Sequence, residues 1–310
     1  MTGRIIKGVK DFFYVRVEDE NEYKGKTVAC NSRGVFRKES VRLKPLVGDI
    51  AEIEINHDQR GKNETWGIIK KISERKNSLI RPPLANLDVL FIVSSVKSPS
   101  PSYFFIDKLT VSAVENKITP VIIVNKTDLE PGGGEIYDIY KKTGFNTIKT
   151  SAVSSKTGFD EIKNEMKNKI CAFAGPSGAG KSSILNALFK NLNLDTGELS
   201  GKIERGKHTT RTVELFYSDF GGYAADTPGF GAFDFESGTG MLKENLIFNF
   251  PDLEKYSDAC KYTKCSHIKE EGCKIIEAVQ NGEISKSRHE SYTEIYNILK
   301  IRNSKLKQPK

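Results

Sequence analysis

Two short phrases decide the fold: NKTD at 125–128, and GPSGAGKS at 175–182, which begins 50 positions later. The second has the spacing G-x-x-x-x-G-K-[ST]. It follows an apolar strand, KICAFAG, and opens a helix, KSSILNALFK, which is the setting in which glycines let backbone N–H groups converge on phosphate oxygens. The first has the form of a base-reading loop. Nucleotide domains ordinarily carry the phosphate loop early and the base loop late, so this chain reverses them.

Around these phrases the chain changes texture twice. Residues 3–72 carry short β-like runs broken by turn residues, GRIIKGVKDFFYVRVED, KTVACNSRG, GDIAEIEIN and TWGIIKKIS, with no helix-period stretch between them. Some five strands suggest a small barrel, first an OB-fold, with an SH3-like barrel as the alternative. From about residue 74 apolar strands alternate with amphipathic helices: LDVLFIVSSV, FFIDKLTVSAVENK, TPVIIVNKTD, a helix near 135–143, FNTIKTSA, a helix at 158–168 and KICAFAG. That alternation predicts a doubly wound α/β sheet buried on both faces. After DTPGF come polar helix-compatible segments, a cysteine cluster and a stretch at 284–302 with Ile284, Tyr292, Ile295, Ile298 and Leu299 at helical spacing; the tail NSKLKQPK reads as frayed. The expected domains are 1–73, 74–236 and 237–310.

Composition narrows the class. The chain has 310 residues, 37% hydrophobic and 28% charged, enough for two or three globular domains. No run reaches the roughly eighteen apolar residues of a membrane helix, and charges interrupt the start where a signal peptide needs an apolar core. A soluble cytoplasmic protein is expected. Five cysteines, with Cys30 and Cys171 isolated in apolar runs, do not make a secreted disulfide framework. The net charge of +8 divides as +4 over 1–73, +1 over 74–236 and +3 over 237–310. Basic flanks around a neutral centre suit either a solvated surface or a polyanion such as RNA.

The candidate chemistry follows from the motifs. Gly175, Pro176, Ser177, Gly178, Ala179 and Gly180 form the phosphate loop, Lys181 supplies a mobile charge to the outer phosphates, and Ser182, followed by Ser183, offers a hydroxyl to Mg²⁺. An aspartate carboxylate accepts from both guanine N1–H and the 2-amino group, whereas adenine leaves it unpaired, so Asp128 points to guanine. Asn125 ties loops together, and the Lys126 stem lies along the base. A second strand ends in SAV, where Ser151 and the Ala152 amide meet the guanine carbonyl. DTPG at 226–229 places Asp226 toward Mg²⁺ and the Gly229 amide toward the γ-phosphate; GKHTTRT at 206–212 reads as a switch loop whose Thr210, or alternatively Thr209, joins the metal shell.

NKTD, SAV, GPSGAGKS, GKHTTRT and DTPG resemble the five signature regions of a Ras-like GTPase in the order four, five, one, two, three. With a barrel before and a Cys/His cluster after, the chain is similar along its length to the ribosome small subunit-dependent GTPase A family. That resemblance implies an N-terminal OB-fold, a circularly permuted P-loop GTPase domain and a C-terminal helical zinc-binding domain. It also implies a factor that binds the small (30S) ribosomal subunit and its rRNA and helps release another assembly factor; stimulation by the subunit is expected because an isolated switch loop holds a water poorly, and a monomer is expected. Joining the close termini of a doubly wound domain and cutting elsewhere preserves the site. The cut now lies just after DTPGF, so nucleotide state is expected to reach the C-terminal region through that junction.

Hydrolysis is the open point. Phe230 stands where related enzymes place a water-orienting glutamine, and an apolar ring cannot orient water. The resemblance implies His208 for that task, against a solvated loop histidine. Cys260, Cys265, His267 and Cys273 read C-x₄-C-x-H-x₅-C, a set that closes a tetrahedron around structural Zn²⁺, with free thiols in a small core as the alternative. His57 and His289 read as surface residues. Rival readings are an RNA-binding switch with incidental hydrolysis and, more remotely, a GTPase of translation.

Overall fold

In the computed structural model the described residues are 1–31, 44–56, 66–80, 82–151, 157–189, 213–226 and 241–306. They gather into two compact units. The first draws on Met1–Val89, Glu165–Phe173 and Lys202–Phe233, the second on Leu90–Asn164, Ala174–Gly201 and Asp234–Lys310.

Five strands open the first unit: β1 (Thr2–Val9), β2 (Phe12–Val17), β3 (Thr27–Asn31), β4 (Ile50–Asn56) and β5 (Trp66–Ile72). Alternation drives them to one core, because period-two side chains put every second residue on one face. Phe13, Val15 and Val17 of β2 point inward with Ile5, Val28, Ala51, Ile53 and Ile69. The order β1-β2-β3-β5-β4 closes through β1–β4 pairing, and β3 runs parallel to β5. This is the expected OB-type barrel. A hairpin of β6 (Ser78–Leu79) and β7 (Leu84–Ala85) follows it. Arg75 holds the buried Asp49 carboxylate with two bonds of 2.7 Å. In the same unit β11 (Ile170–Ala174) pairs in parallel with β13 (Tyr223–Asp226), which pairs antiparallel with β12 (Glu214–Tyr217). Lys7 of β1 faces Glu214 of β12, with an ion pair of 2.8 Å.

The second unit carries the alternating α/β pattern. Strands β8 (Val89–Ser95), β9 (Thr119–Asn125) and β10 (Asn146–Lys149) lie in the order β10-β9-β8, with β9 and β10 parallel. Helices α1 (Tyr103–Glu115), α2 (Gly134–Tyr140), α3 (Phe159–Met166) and α4 (Lys181–Leu188) alternate with the strands along the chain. Every residue of β8 is buried, as a strand covered on both faces requires.

The C-terminal segment adds a 3-10 helix at Lys243–Asn249, α5 (Pro251–Glu254), a 3-10 turn at Ser257–Ala259, α6 (Lys274–Gln280) and α7 (Lys286–Leu306). Its core is larger than the sequence suggests: Leu246, Ile247, Phe250, Leu253, Ile275, Ile284, Tyr292, Ile295, Tyr296 and Leu299 pack together with Val111 of α1. The expected frayed tail is corrected in part. Helix α7 runs on to Leu306, because buried Asn303 accepts from the Lys243 amide at 3.0 Å and donates to the Met241 carbonyl; residues 307–310 lie outside the described residues. At the start of α7 the fully buried Arg288 grips Asp252 of α5 through Nε (3.0 Å) and Nη2 (2.7 Å) and Asp107 of α1 through Nη1. Tyr140 of α2 donates to the same Asp107 carboxylate at 2.7 Å. Among the described residues no helix is long and apolar enough to cross a membrane.

Candidate functional site

The phosphate loop runs from β11 into α4 and is shaped by backbone that only glycine tolerates well. Gly175 (φ 154°), Gly178 (φ 76°) and Gly180 (φ 97°) all have positive φ. A Cβ on Gly175 would stand 2.2 Å from the Val93 carbonyl oxygen, and one on Gly180 would stand 2.1 Å from Asn125 Nδ2. The second clash is with a group that fixes the loop. Ser177 and Gly178 are exposed at its tip, with Pro176 half-buried beside them, and Ser182 and Ser183 occupy the first turn of α4. Lys181 Nζ lies over the loop, donating to the carbonyls of Gly175 (2.8 Å) and Pro176 (2.9 Å). Burial pulls the Lys181 pKa below its ordinary value; a desolvated ammonium is primed for an anionic partner.

NKTD reaches this loop from the end of β9. Asn125, buried, donates through Nδ2 to the Ala179 carbonyl at 2.8 Å, a bond across 54 residues, and accepts from Thr150 Oγ1 at 3.0 Å. One side chain thus joins the phosphate loop, the base loop and the end of β10. Lys126 has left-handed backbone (φ 62°), and its ammonium donates to the Ser98 carbonyl at 2.5 Å. Asp128 is exposed at the mouth, where the Ser151 hydroxyl fixes it at 2.7 Å.

Three contributors escaped the sequence reading. Thr127 clasps the Thr150 carbonyl through its amide and its hydroxyl, both at 3.1 Å, Thr150 itself positions Asn125, and the Ser98 carbonyl holds Lys126. A threonine inside the motif and another just before SAV were the available signals; nothing in sequence marks a backbone carbonyl. Ala152, His208, Thr209, Thr210, Gly229 and Phe230 lie outside the described residues. Asp226 ends β13, and its side chain is likewise outside them.

Cys260, Cys265, His267 and Cys273 converge in the C-terminal segment, their ligand atoms all within 4.8 Å of one another. Cys260 Sγ lies 3.5 Å from His267 Nδ1 and 3.8 Å from Cys273 Sγ, and Cys273 Sγ lies 3.6 Å from the same nitrogen. A tetrahedron with Zn–S near 2.3 Å and Zn–N near 2.05 Å has S–S edges of about 3.8 Å and S–N edges of about 3.6 Å. The set fits a zinc ion. Burial pushes the Cys265 thiol up to about 12 and raises Cys273 as well, so thiolates here are favoured by a cation at the centre. The supporting groups were not foreseen. Burial opposes ionisation of Glu270, but donors from Ser266 and the Lys269 amide win and hold it down to about 2. Its carboxylate collects the amides of Ser266 (2.9 Å), Ile268 (3.0 Å) and Lys269 (3.1 Å), together with the Ser266 hydroxyl. The surface reading of His289 is corrected: it is half-buried, and Nε2 donates to the His267 carbonyl at 2.7 Å because the α7 stripe faces the cluster. His57 lies outside the described residues.

Profiles of known families match most of the chain. The RsgA GTPase profile matches residues 72–236 and the RsgA N-terminal domain profile residues 2–62. The chain belongs to the RsgA GTPase family. Curated relatives named small ribosomal subunit biogenesis GTPase RsgA include one from Caldanaerobacter subterraneus, 42% identical over 94% of this chain and 92% of the relative. One from Bacillus subtilis is 38% identical over 97% and 98%. Among solved structures, the circularly permuted GTPase YloQ matches with TM-score 0.75 at 32% identity, covering 100% of this chain and 96% of that one. YjeQ from Thermotoga maritima matches with TM-score 0.75 at 34% identity, covering 96% and 98%. A further profile, described as 50S ribosome-binding GTPase, matches 170–303, beginning at the strand before the phosphate loop. The chain is therefore a GTP hydrolase with a circularly permuted GTPase domain.

Proposed function

We propose that this chain binds the small ribosomal subunit and its rRNA late in assembly, hydrolyses GTP there, leaves, and promotes release of another assembly factor. The nucleotide reading is carried by the 2.8 Å bond from Asn125 to the Ala179 carbonyl, which holds the base loop against the phosphate loop despite their reversed order. In this reading Asp128 accepts from guanine N1–H and the 2-amino group, Ser151 fixes that carboxylate, the Ala152 amide meets the guanine carbonyl, and Lys126 lies along the base. The amides from Gly175 to Gly180 surround the phosphates, with Pro176, Ser177, Gly178 and Ala179 between them. Lys181 exchanges its two carbonyl partners for the β- and γ-phosphates. Ser182, Thr210 and Asp226 are the Mg²⁺ ligands, and the Gly229 amide faces the γ-phosphate. Mg²⁺ when bound neutralises phosphate charge. His208 orients the attacking water; His208→Ala with unchanged subunit-stimulated turnover would refute that role.

The partner is inferred from the names of relatives 42% and 38% identical to this chain. Residues 1–73 and 237–310, each with excess positive charge, are the proposed rRNA-contacting domains, preceding and following in sequence the GTPase domain at 74–236. One structural Zn²⁺ is proposed at Cys260, Cys265, His267 and Cys273, where four protein ligands leave no open position. All five cysteines are free of disulfides, in keeping with a reducing cytoplasm, and the chain is taken to act as a monomer. Coupling of nucleotide state to residues 230–280 predicts different hydrogen exchange with GDP and a nonhydrolysable GTP analogue; equal protection, free and subunit-bound, would rule it out.

The deciding experiment measures GTP hydrolysis by the full chain alone, with purified small subunits and with large subunits. Slow intrinsic turnover raised by small subunits only is expected. Stimulation by large subunits instead, or none by either, would overturn the reading.

A further inference from the structure

Strand β2 alternates Phe13, Val15 and Val17 inward with Phe12, Tyr14 and Arg16 outward. Register places Arg16 directly opposite Arg4 of β1. Two adjacent guanidinium groups repel unless each has a partner, and the two are provided for differently. Arg4 pairs with Glu18 at 3.0 Å and sits 5.5 Å from the Tyr223 ring centre. Arg16 Cζ sits over the Tyr217 ring, 4.2 Å from its centre, and the guanidinium donates to the Gly25 carbonyl. No carboxylate pairs with Arg16 among the described residues.

These groups line an open cleft of about 310 Å³, together with the half-exposed or exposed Lys24 and Lys169. Its two carboxylates are engaged: Glu18 with Arg4 and the Tyr223 hydroxyl, Asp88 with Lys76 and the Ile170 amide. These two lysines pair with exposed or half-exposed glutamates, Glu20 and Glu165, in contacts weak enough to exchange for another anion. Two tyrosines also line the cleft. Tyr217 and Tyr223 meet edge to face at 5.1 Å, and Tyr217 is 48% exposed, a large ring surface left open beside a cation.

We propose that this cleft binds one nucleotide of a single-stranded RNA segment, its base stacked on the Arg16–Tyr217 pair and its phosphate drawn by Arg16, Lys24 and Lys169. Unstacked bases are held on aromatic rings and guanidinium planes, and phosphates by the same cations. The volume sits at the lower end of small-ligand sites, so it suits one nucleotide rather than a duplex. An acidic peptide would use the charge and leave the exposed ring idle. The proposal rests on the reading of an rRNA-bearing partner and adds to it a specific anchor outside the nucleotide and zinc sites.

The test uses the full, zinc-loaded chain and a short fluorescein-labelled uridine oligomer, with anisotropy at low salt as readout. Arg16→Ala and Tyr217→Ala should each weaken binding by about ten-fold, while Tyr217→Phe retains it and Arg16→Lys, keeping charge without the planar stack, falls between. A far-ultraviolet circular dichroism spectrum and melting curve equal to the parent's show that each variant is folded. Where an alanine variant fails that check, the Arg16→Lys and Tyr217→Phe pair decides, and equal RNA affinity for both overturns the proposal. So do unchanged binding in the two alanine variants, a parent that does not bind the oligomer, or tighter binding of a glutamate peptide. A parent whose GTP turnover ignores small subunits defeats the ribosomal reading instead; a responsive parent with normal RNA binding after Arg16→Ala defeats this proposal alone.

Discussion

The nucleotide loops and the Cys/His cluster each hold several ligating groups in a small volume, yet by opposite means. In the cluster, all four ligands and the organising Glu270 fall between residues 260 and 273, so local turns do most of the work. In the nucleotide site Asn125 must find a carbonyl 54 residues away, and Thr150, Thr127 and Ser98 complete a frame drawn from separate strands. A local site is assembled by its own segment plus a metal; a dispersed one exists only if the sheet beneath it is intact. Circular permutation is tolerated by the second kind because spatial neighbours, not chain order, define it.

If that contrast holds, the largest effect should come from the residue that ties the C-terminal segment to α1 and α2. Arg288→Met leaves Asp107 and Asp252 buried without their cation, which costs about 3–5 kcal/mol. Urea denaturation should report that loss. Adding Asp107→Asn and Asp252→Asn should recover part of it, and a loss below about 1 kcal/mol would mean the clamp is idle. Next comes Asn125→Ala, which strands the Ala179 carbonyl and the Thr150 hydroxyl. A cost of about 1–3 kcal/mol for such groups predicts GDP and GTP affinities lower by roughly 5- to 150-fold, read by calorimetry, with zinc content unchanged. Zinc loss in that variant would break the separation between the two sites.

How legible each region was in sequence follows from the same contrast. Short β-like runs broken by turn residues announced the barrel, and apolar strands alternating with amphipathic helices announced the buried sheet, since one face or two faces must leave water. Motifs with fixed local spacing, GPSGAGKS, NKTD and the cysteine cluster, were readable because their chemistry needs neighbouring atoms. Long-range partners were not. Arg288 did leave a trace: it shares the stripe of Ile284, Tyr292, Ile295 and Leu299, and a charge on a buried stripe demands carboxylates, but nothing named Asp107, 181 positions away. Glu270 and His289 were missed for a different reason, since each acts by holding backbone of the metal loop, a role no residue spacing encodes.

Smaller changes sharpen the comparison at the level of supporting groups. Glu270→Gln removes a carboxylate that gathers three amides and a hydroxyl around Cys265 and His267. Loss of such support typically weakens metal binding by about 10- to 100-fold, to be measured by competition with a chromogenic chelator while GDP affinity stays constant. Retention equal to the parent's would show that the cysteines alone set the loop.

The smallest effect is expected at Ser151. Its hydroxyl donates to Asp128 at 2.7 Å, and Asp128 is exposed, so water replaces the bond when Ser151→Ala removes it. A hydrogen bond to a charged group at a wet site is worth about 1 kcal/mol, which lowers GDP affinity by roughly five-fold. The guanine preference over adenine should persist, because it comes from the carboxylate and not from the hydroxyl that steadies it. A calorimetric comparison of GDP and ADP on this variant separates those contributions. Should preference for guanine collapse along with affinity, Asp128 would depend on Ser151 for its orientation, and the dispersed site would prove as reliant on a nearby supporting group as the zinc loop is on Glu270.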